Sequence, residues 1–240
     1  MKLDILAFAA HPDDTELACS GTLALHVSKG DKVGVIDFTE GEMGTRGTPE
    51  LRLQEAQESA KILNLSVREN LGFEDVYFKN DRIHQLKVVQ KIRQYQPTII
   101  IANAISDRHP DHGRAAEVVK SAFFLAGLQK FETVDPLTNE PQNIWRPKRL
   151  LHYIQSIPLQ PDFVVDITAH WDTKMKAIMA FASQFYDPNS KEPDTYISDP
   201  KFMKMIEARS LELGQVIGTN YAEGFMVDRY LGLKDLDGIV

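Results

Sequence analysis

Two short runs of the chain hold the residue types that bind metal ions and move protons. His11-Pro12-Asp13-Asp14 follows the mostly apolar Leu3-Asp4-Ile5-Leu6-Ala7-Phe8-Ala9-Ala10, and Asp107-Arg108-His109-Pro110-Asp111-His112 follows Ile99-Ile100-Ile101-Ala102. Each run lies just past the C-terminal end of a predicted strand, the edge where open parallel α/β sheets bind ligands. His11 and Asp14 stand at a strand-to-helix junction, where a three-residue spacing lets both side chains converge as the chain turns. His112 can reach the same point from the neighbouring strand end. Two imidazoles and one carboxylate, with a coordination position left for water, make up a catalytic zinc site. Zinc lowers the pKa of its water to about 7, which makes hydroxide available near neutrality. Fe2+ accepts the same ligands.

Asp13 stands beside a ligand at a helix N-terminus, where the macrodipole favours its ionised form, so it is the candidate general base. His109 is placed to stabilise an oxyanion or to protonate a leaving amine. Asp111 is a candidate to orient one of these histidines from outside the ligand set. Asp and Pro also serve as ordinary caps and turn formers, so either run alone carries little weight. Two such runs at matching topological places carry much more. Two rival classes share this residue set: a non-haem iron oxygenase with a facial triad, and a non-catalytic binding protein whose clusters only cap helices. His26, His84, His152 and His170 lack comparable neighbours and read as surface or core residues.

The elements that must position these groups alternate. Strands are expected over 3–9, 33–38, 67–71 and 98–102, and helices over 14–29, from Pro49, over 81–95, and from His112 to about Leu128. Such alternation implies right-handed βαβ units and a Rossmann-like, mostly parallel sheet with helices on both faces and the site at its C-terminal edge. The segment 39–47, with three glycines, reads as a flexible substrate loop; its spacing fits no phosphate-binding motif, and Glu40 and Glu42 would repel phosphate. Further on, 132–147 reads as a surface loop, 149–153 and 163–166 as strands, and 169–182 as a helix with Trp171, Met175, Ile178 and Ala182 on one stripe. The proline-bearing 187–200 reads as a loop or lid, and 200–213 as a last helix preceding Gly214.

The 240 residues suit one domain. A net charge of −7 argues against a nucleic-acid partner. No stretch approaches the roughly 20 apolar residues of a membrane span, and the first residues do not resemble a secretory signal, so a cytoplasmic enzyme is expected. Cys19, the lone cysteine, reads as a small buried residue.

The two runs together resemble the metal motifs of the PIG-L/LmbE-like zinc deacetylases. Thr39-Glu40-Gly41-Glu42, Gly44-Thr45-Arg46-Gly47-Thr48, Glu50-Leu51-Arg52, Ser183-Gln184-Phe185 and Tyr221-Ala222-Glu223-Gly224-Phe225 extend the resemblance over nearly the whole chain. Within the family the match points to the branch that deacetylates N-acetylglucosaminyl-malate in bacillithiol biosynthesis; other N-acetylglucosamine conjugates or chitooligosaccharides are the alternative. The resemblance implies that His11, Asp14 and His112 bind zinc, that Asp13 is the base, and that His109 is the charged partner in the transition state. It further implies that Arg52 and Asp75 contact the sugar and that Tyr196, in the proline-rich loop, is an oxyanion donor. It also implies a homo-oligomer, commonly a hexamer. A malate aglycone needs cationic partners, for which Arg46, Arg52 and Arg108 are the candidates.

Overall fold

The computed structural model describes residues 1–233 and 235. Seven strands form one sheet in the order β3-β2-β1-β4-β5-β7-β6. They are β1 (Ile5–Ala9), β2 (Val33–Asp37), β3 (Val67–Asn70), β4 (Ile99–Ala102), β5 (Arg149–Tyr153), β6 (Phe163–Asp166) and β7 (Ala222–Val227). The first five pair in parallel; β7 runs antiparallel to both β5 and β6. The chain winds outward from β1 through β2 to β3 and then returns to place β4 on the other side of β1, so the topological switch lies between β1 and β4. Both chemical runs leave the sheet at that switch.

The alternation of β1 sorts its side chains between two cores. Leu6 and Phe8 pack with Ile36, Ile100, Val88, Val89, Ile92 and Val118 on one face. Ile5 and Ala7 pack with Ala18, Cys19, Leu23, Val35 and Ile101 on the other. The first face is covered by α3 (Arg82–Tyr95) and α4 (Pro110–Leu125), the second by α1 (Asp14–Ser28). A third cluster, which includes Ala56, Ile178, Phe181, Phe185, Phe202 and Ile206, joins α2 (Pro49–Ile62), α5 (Trp171–Met179) and α6 (Pro200–Val216). Cys19 is buried as a small core residue.

Four elements differ from the sequence expectation. Helix α4 opens at Pro110 rather than His112, because proline suits the first helical turn; His109 becomes its N-cap. Helix α5 is shorter than 169–182 and ends at Met179, so Ala182 lies outside the stripe. Helix α6 runs through Gly214 to Val216. Gly214 is there for close approach: a Cβ would meet the carbonyl of Asn220 at 2.7 Å. Strand β7 is absent from the sequence expectation, because Glu223 and Gly224 interrupt its apolar run. Glu223 is tolerated in the sheet because its carboxylate accepts hydrogen bonds from Lys174 Nζ (2.7 Å), Gly21 N (3.0 Å) and Thr22 N (2.7 Å).

Candidate metal and catalytic centre

Three strand ends supply the centre. His11 lies two residues beyond β1, Asn103 directly beyond β4, and Gln155 two beyond β5. Asp14, in the first turn of α1, sits where they meet. Its Oδ2 accepts from His11 N (3.0 Å) and Asn103 Nδ2 (2.9 Å), and its Oδ1 from Gln155 Nε2 (2.8 Å). The two predicted histidines approach the same carboxylate, His112 Nε2 at 3.1 Å from Oδ1 and His11 Nδ1 at 3.7 Å from Oδ2. The other ring nitrogen of each histidine faces an outer carboxylate: His112 Nδ1 lies 2.7 Å from Asp107, and His11 Nε2 lies 3.1 Å from Asp75 and 3.5 Å from Asp111.

Among the described residues two groups of donors, His11/His109/His112 and His11/Asp75/Asp111, each have their ligand atoms within 4.8 Å of one another. In the second group the carboxylates are already engaged. The Asp111 side chain is fully buried and accepts from Val76 N and Arg114, and Asp75 accepts from the amides of Met43 and Val76. Burial works to raise the Asp75 carboxyl, but its bonds to His11 and to these amides hold it down to about 2. The first group, with Asp14, faces a cavity of about 290 Å³.

Asp13 is the N-cap of α1 and adopts φ +117°, a left-handed conformation that costs a non-glycine residue roughly 1–3 kcal/mol. Its side chain makes no cap bond. Instead Oδ2 accepts from Arg52 Nη2 at 3.2 Å, while the same nitrogen donates to Pro12 O at 2.5 Å. Burial pushes the Asp13 carboxyl up to about 7 against the pull of Arg52. His109 Nδ1 accepts from Asp111 N at 3.3 Å, which leaves the proton of the neutral ring on Nε2. Burial and the neighbouring His11 and His112 lower its pKa.

His11, Asp13, Asp14, Arg46, Arg52, Asp75, Arg108, His109, His112 and Tyr196 all line the one cavity; Asp111 stands behind it. Several differ in posture from the sequence expectation. Arg46, a candidate partner of the aglycone, is buried and donates to the carbonyls of Pro193 (2.8 Å), Phe185 (2.9 Å) and Glu192 (3.4 Å), so it braces the proline-rich loop. Arg52 is committed to Asp13 and to the carbonyls of Pro12 and Gly41. Asp75 faces His11. Arg108 stacks its guanidinium over the Tyr196 ring at 4.1 Å, and Tyr196 OH points to Met205 Sδ.

Sequence reasoning missed Asn103, Gln155, Asp107 and Arg209. The first two carried a usable signal, since each is the first polar residue after a predicted strand at the ligand-binding edge. Asp107 sits inside the second run, and only the fold shows its side chain turned back to His112.

Comparison with known proteins adds a lineage. A family model described as PIG-L, GlcNAc-PI de-N-acetylase, matches residues 6–123. A crystal structure of a conserved protein from Thermus thermophilus superposes with a TM-score of 0.83 at 38% identity, covering 97% of this chain and 98% of that one. The diacetylchitobiose deacetylase of Thermococcus kodakarensis is 28% identical over 235 residues, which is 92% of this chain and 81% of that protein. A 4-oxalmesaconate hydratase of Pseudomonas putida is 25% identical over 193 residues, 75% of this chain and 73% of that protein.

Proposed function

The chain belongs to the PIG-L/LmbE-like family of N-deacetylases, and we propose that it removes the acetyl group from an N-acetylglucosamine conjugate, N-acetylglucosaminyl-malate of bacillithiol biosynthesis being the substrate of choice. The observation that carries this reading is the Asp14 carboxylate set between His11 Nδ1 and His112 Nε2 beside a buried Asp13. The donor set fits a divalent ion. Each imidazole has one nitrogen against an outer carboxylate and the other turned to Asp14, the usual support for a metal-ligating histidine. His11, Asp14 and His112 would hold zinc, with Fe2+ as the alternative. Such an ion supplies Lewis-acid polarisation of an acyl oxygen and a lowered pKa for water.

The remaining work falls to the protein. Asp13 accepts the proton of the attacking water and returns it to the departing amine; a carboxyl near 7 is matched to both transfers. Arg52 keeps that carboxylate aimed despite its left-handed backbone. His109, whose Nδ1 faces the Asp111 amide, donates from Nε2 to the developing oxyanion. Of the two roles expected for His109, this geometry favours oxyanion stabilisation. The cavity also holds an apolar wall of Leu17, Ile197, Phe202 and Met205, which excludes water around the reacting groups.

The test is an amine-release assay on N-acetylglucosaminyl-malate, N-acetylglucosamine and diacetylchitobiose with zinc supplied. The proposal expects free amine from the malate conjugate well ahead of the other two. Hydration of an unsaturated dicarboxylate, with no amine released from any acetamido sugar, would overturn it in favour of the hydratase chemistry named for the Pseudomonas putida relative.

A further inference from the structure

Helix α6 turns Phe202, Met205, Ile206 and Arg209 toward the cavity, an i, i+3, i+4, i+7 stripe whose last member is a cation. Arg209 donates from Nη1 to Gln155 O and from Nη2 to Leu17 O (3.4 Å). Gln155 in turn donates to Asp14, so Arg209 is two side chains from the metal ligands. Two carbonyls use only part of a guanidinium that carries five N–H groups. Other buried cations have acids beside them, Lys174 with Glu223 at 2.7 Å, Arg68 with Asp37 and Glu16, and Arg52 with Asp13, while Arg93, away from the cavity, is held by the carbonyls of Ala126 and Leu128 and by Thr133 Oγ1. Arg46 has loop carbonyls and Asp194 at 3.7 Å. Among the described residues no carboxylate lies within ion-pair distance of Arg209 or Arg108. Burial lowers the pKa of Arg209, and the more distant carboxylates of Glu223 and Asp107 offset this only in part. Arg108 stacks on Tyr196, and Arg108, Tyr196 and Arg209 line the same cavity.

We infer that Arg209 is a specificity-determining residue that reads a carboxylate on the aglycone, with Arg108 as a second, outer cation. The arginines of the glycine loop and the helix after it, Arg46 and Arg52, do not serve this purpose. The inference rests on the deacetylase reading above. A carboxylate entering this cavity meets a fork of donors in a site of low dielectric, where a charge-assisted pair is strongest.

The experiment compares kcat/KM for N-acetylglucosaminyl-malate and for methyl N-acetylglucosaminide in the wild type, Arg209→Gln and Arg209→Lys. The wild type is expected to prefer the malate conjugate. Arg209→Gln should shrink that preference roughly 10- to 100-fold, the size of a charge-assisted hydrogen bond. Arg209→Lys, which keeps charge without the fork, should fall between. Calorimetric binding of glucosaminyl-malate against methyl glucosaminide to the wild type gives the same preference without turnover. Equal loss on both substrates in Arg209→Gln, or no wild-type preference in binding, would overturn the inference and leave the deacetylase reading intact. No turnover of either substrate by the wild type would instead remove that reading.

Discussion

The strand-end cluster and the loop that faces it are built on opposite principles. His11, Asp14, Asn103, His112 and Gln155 sit within two residues of a strand end or in the first turn of a helix, and their side chains bond mainly to one another. The sheet sets their positions before any substrate arrives. Across the cavity, 41–47 and 185–199 have no regular structure, and Arg46 and Gln184 tie the two loops together. Gly47, at φ +73°, allows its amide to donate to Glu192 Oε1. The chemistry is thus placed on a rigid edge and the substrate wall on segments that hold each other. An arginine in such a loop is recruited to the loop itself: Arg46 braces backbone, while Arg209, which has no ion pair among the described residues, lies on helix α6.

That contrast predicts a steep gradient of mutational effects. His112→Ala should cost the most, more than roughly 10³-fold in kcat/KM, because it would remove one of the three proposed metal ligands; a loss under tenfold would detach the cluster from catalysis. Asp13→Asn should lower kcat by roughly 10²- to 10⁴-fold while the metal content of the purified protein stays at the wild-type level. Loss of metal in that variant would make Asp13 a ligand rather than a base. Asp107→Asn acts one layer out through His112 Nδ1, and should weaken metal affinity or activity by roughly 10- to 100-fold in a chelator titration. Arg46→Gln should be mildest for the chemistry. Freed from three carbonyls, the 185–194 segment should exchange its amides faster, and KM should rise by about two- to tenfold with kcat little changed. A kcat collapse in Arg46→Gln would erase the distinction between the two regions.

Much of the rigid region is legible in the sequence because its signals are local. An apolar run that ends in His-Pro-Asp-Asp declares both a strand and what it delivers, and the second run repeats the grammar. The alternation of strand and helix implies the parallel sheet, whereas the strand order that sets the switch between β1 and β4 is seen only in the fold. Helix α4 opens at Pro110, as proline's preference for the first turn dictates, although His112 draws attention as its start. The illegible parts depend on distant partners. Glu223 fits a strand only because Lys174 neutralises it from another helix, and Arg46 finds its acceptors 139 to 147 residues away. Asn103 and Gln155 signal their place at the strand ends, but only the fold shows that both are set on Asp14. Gly214 reads as a helix terminator, yet it lies within α6 to admit the backbone of Asn220 and Tyr221.

Both donor groups share His11 but use different faces of it, so the most direct measurement is anomalous diffraction from crystals grown with zinc. The account predicts a single peak at about 2.0–2.2 Å from His11 Nδ1, an Asp14 oxygen and His112 Nε2, on the cavity side of the cluster. A peak between His11 Nε2, Asp75 and Asp111, or none at His112, would contradict it.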